Sequence, residues 1–511
     1  MGYKQIILKL PTDFTTVQLE KKIRKELRVQ NFSYQIENKS LDARKKHNIH
    51  WVVRATVTSK ELKGSEPEQI QELDIHFKKR DKKVIVVGSG PAGFFAAFAL
   101  LKAGFNTTII ERGTDVSKRA EGINHFEETG QFNPISNYSF GEGGAGTFSD
   151  GKLTSRSKHI SLERKFILSS YVKAGAPQEI EYMAHPHVGS DNLRKIVKNL
   201  RSEFKELGGE ILFETMLEDI KVINGKVNTV YTNKGSFETD ILFIAPGHSA
   251  FETYRMLIKR GVQFRVKNFA LGSRVEHPQE IINQAQWGNK QLPGVKAAEY
   301  RLTSNIDGQL PVYTFCMCPG GVVVPASAYN NINIVNGMSL YQRNAKFANA
   351  ACVAGVNLEK LLCKEISALE ALDWLENLER SFYNYSNGFK APFCTIEGFI
   401  RKKAPSRKSE SSYPLGLMPA PLWELLPKEV SLSIRESLKE FSRKIKGFET
   451  GNIMGLESKT SAPIQVLREK NGLCGGFKNL YLIGEGSGYA GGIISSAADG
   501  LKAAMEIIET L

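Results

Sequence analysis

The stretch Val84-Ile85-Val86-Val87-Gly88-Ser89-Gly90-Pro91-Ala92-Gly93-Phe94-Phe95-Ala96-Ala97 decides the fold. Val84 to Val87 is a short apolar run and reads as a buried strand. Gly88, Gly90 and Gly93 follow it in Gly-x-Gly-x-x-Gly spacing, and a helix running on through Leu100 and Leu101 ends at Gly104. Thr107 to Ile110 is a second strand, with Glu111 at its tip. Gly88 permits the tight turn, Gly90 lets a pyrophosphate approach the backbone, and Gly93 lets helix and strand touch. The helix start offers free N–H groups and the positive end of its dipole to phosphates. Glu111 comes about 20 residues after the glycines, where an acid accepts hydrogen bonds from a ribose. A strand before, a helix after and an acid at that distance make a dinucleotide-binding unit. Gly88, Gly90, Pro91, Ala92, Gly93, Glu111 and Arg112 are its expected cofactor contacts.

The chain around this unit has 511 residues, more than one ordinary domain. Hydrophobic content of 41% and charged content of 24% are those of a globular protein. No apolar run approaches a membrane span of about 18 residues, and the start, Met-Gly-Tyr-Lys-Gln-Ile, has no apolar signal region. A cytoplasmic location is expected. Six cysteines are scattered without a Cys-x-x-Cys, so neither structural zinc nor thioredoxin-like chemistry has its spacing. The net charge of +14 fits an anionic partner such as RNA, but the lysines are dispersed and solvated faces account for them better. Only Lys78 to Lys83 and the Arg401 to Lys408 region are clusters.

Before the glycine unit, Ile6–Leu10, Val17–Leu27, Phe32–Ile36 and Ile49–Val57 read strand, helix, strand, strand, a small α+β domain. The basic run at 78–83 is a linker into the first long strand. After Glu111, five glycines between Gly141 and Gly151 exclude a helix or a central strand. This loop is expected to lie along a flat cofactor ring, with Gly144, Gly146 and Thr147 in contact. Ala184-His185-Pro186-His187 precedes a helix capped by Ser190 or Asp191 and running to Leu207. The His-x-His pair has no cysteine or carboxylate-rich neighbour, and no metal is expected. Asn224-Gly225 is a hairpin turn between strands. Asp240 to Ile244 is a further buried strand, ending in the Ala245-Pro246-Gly247 turn. Val312 to Val324 reads strand, turn at Pro319-Gly320-Gly321, strand. Helices are expected near Leu358–Leu378 and Val430–Ile445.

The end of the chain, Leu480-Tyr481-Leu482-Ile483-Gly484-Glu485 to Gly491-Gly492-Ile493, is again strand, glycines, helix. Too few residues follow for a second βαβ unit of about 30 residues. It reads as a strand returning to the first sheet, with Glu485 at the cofactor and the helix start at Gly492 and Ile493 aimed at its ring. The fold class is α/β: a Rossmann-like dinucleotide-binding domain (81–265 and 451–511), an inserted mixed α+β substrate or cap domain (266–450), and a small N-terminal α+β domain (1–80).

Gly88 to Glu111, the Ala245-Pro246-Gly247 turn and Gly484-Glu485 resemble the three FAD segments of glutathione-reductase-like flavoproteins. More narrowly, the chain resembles a family of uncharacterised bacterial FAD-dependent dehydrogenases. The matching segments are 141–153, Pro186 to Asp191, Pro246 to Ala250, Arg274 to Gln279, Phe315 to Gly321, Asn336 to Ser339 and Gly484 to Gly492. The resemblance covers nearly the whole chain. It implies tightly bound FAD and an inserted substrate domain, and it names no substrate. Lys459 stands where that family is expected to carry Arg.

The expected chemistry is hydride transfer between a flavin and a small or medium-sized substrate, with NAD(P)H as a transient reductant. The catalytic candidates are Cys316 and Cys318, placed on one strand face as redox thiols or pocket wall, Arg274 as an anchor for a substrate anion, and His277 as acid or base. A disulfide between the two cysteines is not expected. Each candidate has a plainer reading: small core residues for the cysteines, a salt-bridged junction for Arg274 and His277. Arg343 and Asn344 are weaker pocket candidates. Two alternatives stand beside this function, an RNA-modifying flavoprotein and a non-catalytic flavin-binding redox sensor.

Overall fold

The computed structural model describes residues 2–64, 71–403 and 409–511, so the basic cluster at 401–408 falls largely outside the described residues. The glycine unit sits at the centre of a five-stranded sheet. Its order is Leu480–Leu482, Ile241–Ile244, Lys83–Val87, Asn106–Ile110, Glu210–Leu212, and every neighbouring pair is parallel. From Lys83–Val87 the chain first builds outward to Glu210–Leu212, then returns to the other side of its starting strand. Open parallel sheets bind ligands at the carboxyl ends of the strands beside such a reversal.

Both faces of this sheet are covered, and the strands beside its centre, Val84 to Val87 and Ile241 to Ile244, are accordingly apolar. Helices Pro91–Lys102 and Ile493–Thr510 pack on one face and on each other. A Cβ on Gly500 would lie 2.1 Å from the Ala92 carbonyl oxygen, so this helix pair closes on glycine. The antiparallel strands Leu217–Ile223, Lys226–Thr232 and Gly235–Glu238 cover the other face. The hairpin turn at Asn224 (φ 52°) and Gly225 (φ 75°) has the two left-handed residues that a tight hairpin needs.

A second sheet of eight strands is mostly antiparallel. At its middle, Phe347–Val356 and Asn452–Glu457 flank Phe269–Pro278. Three sequence expectations change here. Val312–Pro325 is one strand without a turn, because Phe347–Val356 and Val335–Ser339 both pair with it and hold it straight. The irregularity that the glycines signal is absorbed as breaks in register, with Cys316 (φ 43°) and Gly320 (φ 47°) in left-handed conformations. The long helix from Leu358 is two helices, Leu358–Leu362 and Ala368–Ser386. Left-handed Cys363 closes the first, and a capping box of Ser367 with Glu370 opens the second. The helix Gly189–Glu206 has no side-chain cap. Asp191 Oδ1 accepts instead from the Tyr341 N–H at 2.9 Å, which ties this helix to the second sheet.

The N-terminal residues form strands Gly2–Leu10, Ser33–Asp42 and His50–Ser59 and helix Thr16–Leu27, with His50–Ser59 central. The Lys39 N–H donates to the Tyr182 carbonyl at 2.8 Å, and the Ala184 N–H donates to the Lys39 carbonyl at 2.9 Å. This unit is thereby stitched to the segment leading into the long helix. The basic run before Lys83 is more than a linker. The Arg80 guanidinium binds the carbonyls of Ala103 and Ile508, at the carboxyl ends of the two packed helices, where a cation suits the helix dipole.

Candidate functional site

A cavity of about 1740 Å³ opens at the carboxyl ends of the parallel strands. It exceeds the roughly 300–1,000 Å³ of an ordinary ligand pocket. One end is the glycine cradle: Gly88, Gly90, Pro91, Ala92, Glu111, Arg112, Gly144, Gly146, Gly247, Glu485, Gly492 and Ile493 line it, whereas Gly93 does not, being packed against the Gly88 carbonyl. Both helices that start there, at Gly90 and at Gly492, lack a side-chain cap, so their first-turn amides face the cavity without an intrahelical partner. A Cβ on Gly247 or Gly492 would meet nothing within 4 Å. His248 Nε2, also at this end, is buried without a hydrogen-bond partner.

The loop at 137–151 is rigid and packed. Arg119, fully buried, donates to the carbonyls of Asn137 (2.8 Å), Tyr138 (2.9 Å), Glu142 (2.9 Å) and Gly144 (2.8 Å). Five glycines bring carbonyls this close together, and one guanidinium satisfies them. Glu111 plays the matching part for donors. Its carboxylate accepts from Ser89 N (3.0 Å), Ser89 Oγ (2.7 Å), Gly113 N (2.9 Å) and Gly141 N (3.1 Å). It is 5% exposed, and the role the structure gives it is to lock three glycine segments together rather than to present a free carboxylate to a ribose. Thr147 departs from expectation: it turns inward, 1% exposed, towards the Glu142 carbonyl, and does not line the cavity. The Arg112 guanidinium stacks 3.8 Å over the Phe140 ring and pairs with Glu252.

Glu485 faces the cavity 3.7 Å from His248 Nδ1. Burial pushes its carboxyl up to about 7, and burial pushes His248 down to about 3. Lys459, expected as Arg, is buried beside Glu379 and Phe251. Its Nζ lies 2.7 Å from Glu379 and 4.3 Å over the Phe251 ring.

The cavity runs on from the cradle past Cys316, Tyr313 and Phe315 to Lys39, Leu41 and Trp51 of the N-terminal unit. Cys316 is on this wall and Cys318 is buried directly behind it. Beside them lies a charge cluster that the sequence did not reveal. Asp150, fully buried, is bound by Arg343 at 2.6 Å and by Lys152, and Lys152 also donates to the Met317 carbonyl. Burial opposes ionisation of Asp150, and Lys152 and Arg343 together overcome it, holding the carboxyl far below its usual range. Asp150 and Lys152 stood within the glycine loop, but nothing local tied them to a strand more than 160 positions away. Arg343 was among the weaker candidates, and its Nη1 also reaches Glu299 at 2.8 Å. His185 and His187 line the wall. The His187 ring is held neutral, pushed down to about 3 by burial and then by Arg343. Among the described residues no group of three or more His, Cys, Asp or Glu is suited to a metal.

Arg274 and His277 are corrections. Both are fully buried on Phe269–Pro278, and neither lines the cavity. Arg274 binds Glu457 at 2.9 Å, Asn349 at 2.6 Å and Asn336 at 2.9 Å, so its charge is matched inside the second sheet rather than at the cavity. The His277 ring packs 4.4 Å from the Phe448 ring, with Nε2 2.8 Å from the Phe448 carbonyl. Burial pushes its pKa down to about 4. An unfolded histidine titrates near ~6.5. The folded state therefore binds fewer protons, and the stability this neutral ring contributes is complete above that value and lost as pH falls towards the folded pKa. Between about pH 7 and 4, wild type should lose about 3 kcal/mol more than His277→Gln. Urea denaturation at a series of pH values measures the difference; parallel curves would return His277 to a solvent-linked role.

Fold and cavity define an α/β flavoprotein, with its cofactor cradle on a parallel sheet and its second wall on an antiparallel one. Residues 81–127 match the FAD binding domain family, and residues 268–460 match the family described as FAD-dependent protein, C-terminal domain-like. The chain is 39% identical, over 517 aligned residues and 96% of both chains, to an uncharacterized protein of Clostridium beijerinckii (strain ATCC 51743 / NCIMB 8052). It belongs to the same family of FAD-dependent proteins as this Clostridium protein, and FAD is its cofactor. Among solved structures, it is similar to CtdE in complex with FAD, at 11% identity and a TM-score of 0.34, covering 84% of this chain and 83% of that one. L-proline dehydrogenase from P. horikoshii is matched at 12% identity and a TM-score of 0.35, covering 85% of this chain and 95% of that one. Scores this low say nothing of substrate or mechanism. Among the described residues no helix is long and apolar enough to cross a membrane.

Proposed function

We propose that this protein is a two-electron FAD-dependent oxidoreductase of the dehydrogenase or reductase kind, acting on a small or medium-sized molecule held outboard of the glycine cradle. The observation that carries this reading is the continuity of one cavity from Gly90 through Cys316 to Trp51. FAD, when bound, supplies hydride chemistry. The chain's own residues bind, orient and exclude water. The amides at the starts of Pro91–Lys102 and Ile493–Thr510 would hold the phosphates and the ring edge. Glu485 and His248 would meet hydroxyl and amide groups between them; a carboxyl near 7 can accept or donate there at neutral pH.

In this reading, residues 81–265 and 451–511 are the cofactor domain. Residues 266–450 are the substrate or cap domain, and 1–80 complete the outer wall. Glutathione-reductase-like ancestry, a cytoplasmic location and NAD(P)H as transient reductant belong to the same proposal. Its test is direct. The purified protein should be yellow, with one FAD released per chain on denaturation, and bound flavin should bleach anaerobically with a substrate or with NAD(P)H. A colourless protein that takes up no FAD on reconstitution overturns the proposal.

A further inference from the structure

We propose that Cys316 and Cys318 are a dithiol–disulfide couple on the cavity wall, in which Cys316 attacks a disulfide-bearing substrate and Cys318 resolves the mixed disulfide. Four observations support it. Cys316 is a non-glycine residue at φ 43° inside a strand, where the register with Phe347–Val356 breaks between Phe315 and Cys318. Such a conformation is uncommon, and it persists only when the surroundings hold it. Here Cys316 stands on the wall of the cavity that begins at the glycine cradle. Second, Cys318 Sγ donates to the Cys316 carbonyl oxygen at 3.3 Å, which turns the Cys318 side chain back towards the cysteine before it. The break in register falls on both cysteines, so neither is held in a regular pleat.

Third, two cations converge on the pair. The Lys152 ammonium bonds the Met317 carbonyl between the two cysteines, and Arg274 Nη1 lies 3.4 Å from the Cys316 carbonyl. Cations and a thiol donor favour thiolate over thiol at the wall position. The Cys316 thiol is held well below its ordinary value, first by the hydrogen bond from Cys318, against burial, and then by Lys152 and Arg274. Cys318 is pushed the other way, first by that same hydrogen bond and then by burial. Fourth, the remaining cysteines take no part: Cys352, Cys394 and Cys474 are buried, and Cys363 is exposed at a helix end.

The second thiol points to a disulfide rather than an electrophilic carbon, since addition to carbon needs one thiolate and disulfide exchange needs two thiols. The Cys316 thiolate attacks one substrate sulfur. The substrate S–S bond breaks and the first half leaves as a thiolate. Cys318, losing its proton to solvent, then attacks Cys316 Sγ, breaks the mixed disulfide and releases the second half. The substrate gains two electrons, and the pair becomes a Cys316–Cys318 disulfide. Restoring the dithiol takes two electrons and two protons, which reduced FAD supplies; only this return step rests on the proposed oxidoreductase function.

The test uses holoprotein carrying Cys363→Ser, with the aromatic disulfide dithiobis(nitrobenzoate) as probe. A fast phase should release two nitrothiobenzoate ions per chain and leave no adduct, the protein having lost two hydrogens by mass. Cys318→Ser in the same background should release one and retain the other as a stable adduct. Cys316→Ser should show no fast phase. The pH midpoint of the fast rate should lie below that of an ordinary thiol, near ~8.5, and should rise in Cys318→Ala. One ion with a retained adduct in the Cys363→Ser protein, or no fast phase at all, overturns the proposal. Flavin content is read separately from visible absorbance. Loss of FAD with exchange intact sinks the oxidoreductase reading alone, and intact FAD without exchange sinks the dithiol alone.

Discussion

Gly93→Ala is expected to yield a protein that is strongly destabilised and holds no FAD, whereas Gly90→Ala should fold as wild type and bind the cofactor more weakly. The two glycines are a turn apart and do different things. A Cβ on Gly93 would stand 2.0 Å from the Gly88 carbonyl oxygen and 3.2 Å from Val86 Cγ1. Neither neighbour can rotate away, because one is backbone and the other is in the central strand. Helix Pro91–Lys102 would have to lift from the sheet, and Gly500 against Ala92 closes the other side. Overpacking a core costs about 1–3 kcal/mol, and a clash between backbones belongs at or above the top of that range.

Gly90 has φ −66° and ψ 176°, ordinary for alanine, and its Cβ would meet only Gly144 Cα at 3.7 Å. The methyl group would project where a pyrophosphate approaches the helix start. Losing that approach should weaken FAD binding on the order of tenfold to a hundredfold, about 1.4–2.8 kcal/mol. Thermal melts of the apoproteins and flavin titrations separate the two effects. A Gly93→Ala apoprotein melting with wild type, or a Gly90→Ala protein binding FAD as tightly as wild type, would remove the cradle from its assigned place.

These glycines were legible because their constraints are local. A strand, a turn, a helix and a second strand within one short segment leave a pattern of period and spacing that needs no distant partner. The same holds for the N-terminal strand–helix–strand–strand order and for Asn224-Gly225. The wall of the cavity was not legible, because its geometry is set across the chain. Phe269–Pro278 carries Ser273, Arg274, Glu276 and His277, which suggest exposure to solvent, yet it is buried on both faces. What covers the polar side includes Glu457, 183 positions away. Cys316 shows the same limit from the other direction. Pro319-Gly320-Gly321 spells a turn, and two flanking strands override it, moving the irregularity back to the cysteine. Arg119 and Asp150 are ordinary charged residues until the carbonyls and cations they collect are known.

The largest loss of stability from a single side chain is expected at Arg274, and it decides whether that residue serves the fold or a substrate. Arg274 and Glu457 are 0% and 2% exposed in their side chains and 2.9 Å apart, and Nη1 and Nη2 of the guanidinium donate to Asn349 and Asn336. Burial holds the Glu457 carboxyl above its ordinary value, and Arg274 opposes that shift. Arg274→Met should therefore cost about 3–5 kcal/mol, the penalty for leaving one charge of a buried pair without its partner. Adding Glu457→Leu removes the stranded carboxyl and should recover part of the loss. Recovery stays incomplete because the Asn349 oxygen remains unsatisfied, at about 1–3 kcal/mol, while Asn336 Oδ1 keeps the Gly337 N–H at 2.7 Å. Denaturant unfolding of the four members of the cycle measures the coupling. An anchor for substrate would give the opposite pattern: unchanged unfolding, weakened substrate binding and no rescue by Glu457→Leu. Because Arg274 Nη1 also reaches the Cys316 carbonyl at 3.4 Å, the destabilised variant should in addition react more slowly at Cys316, a loss that Glu457→Leu cannot repair.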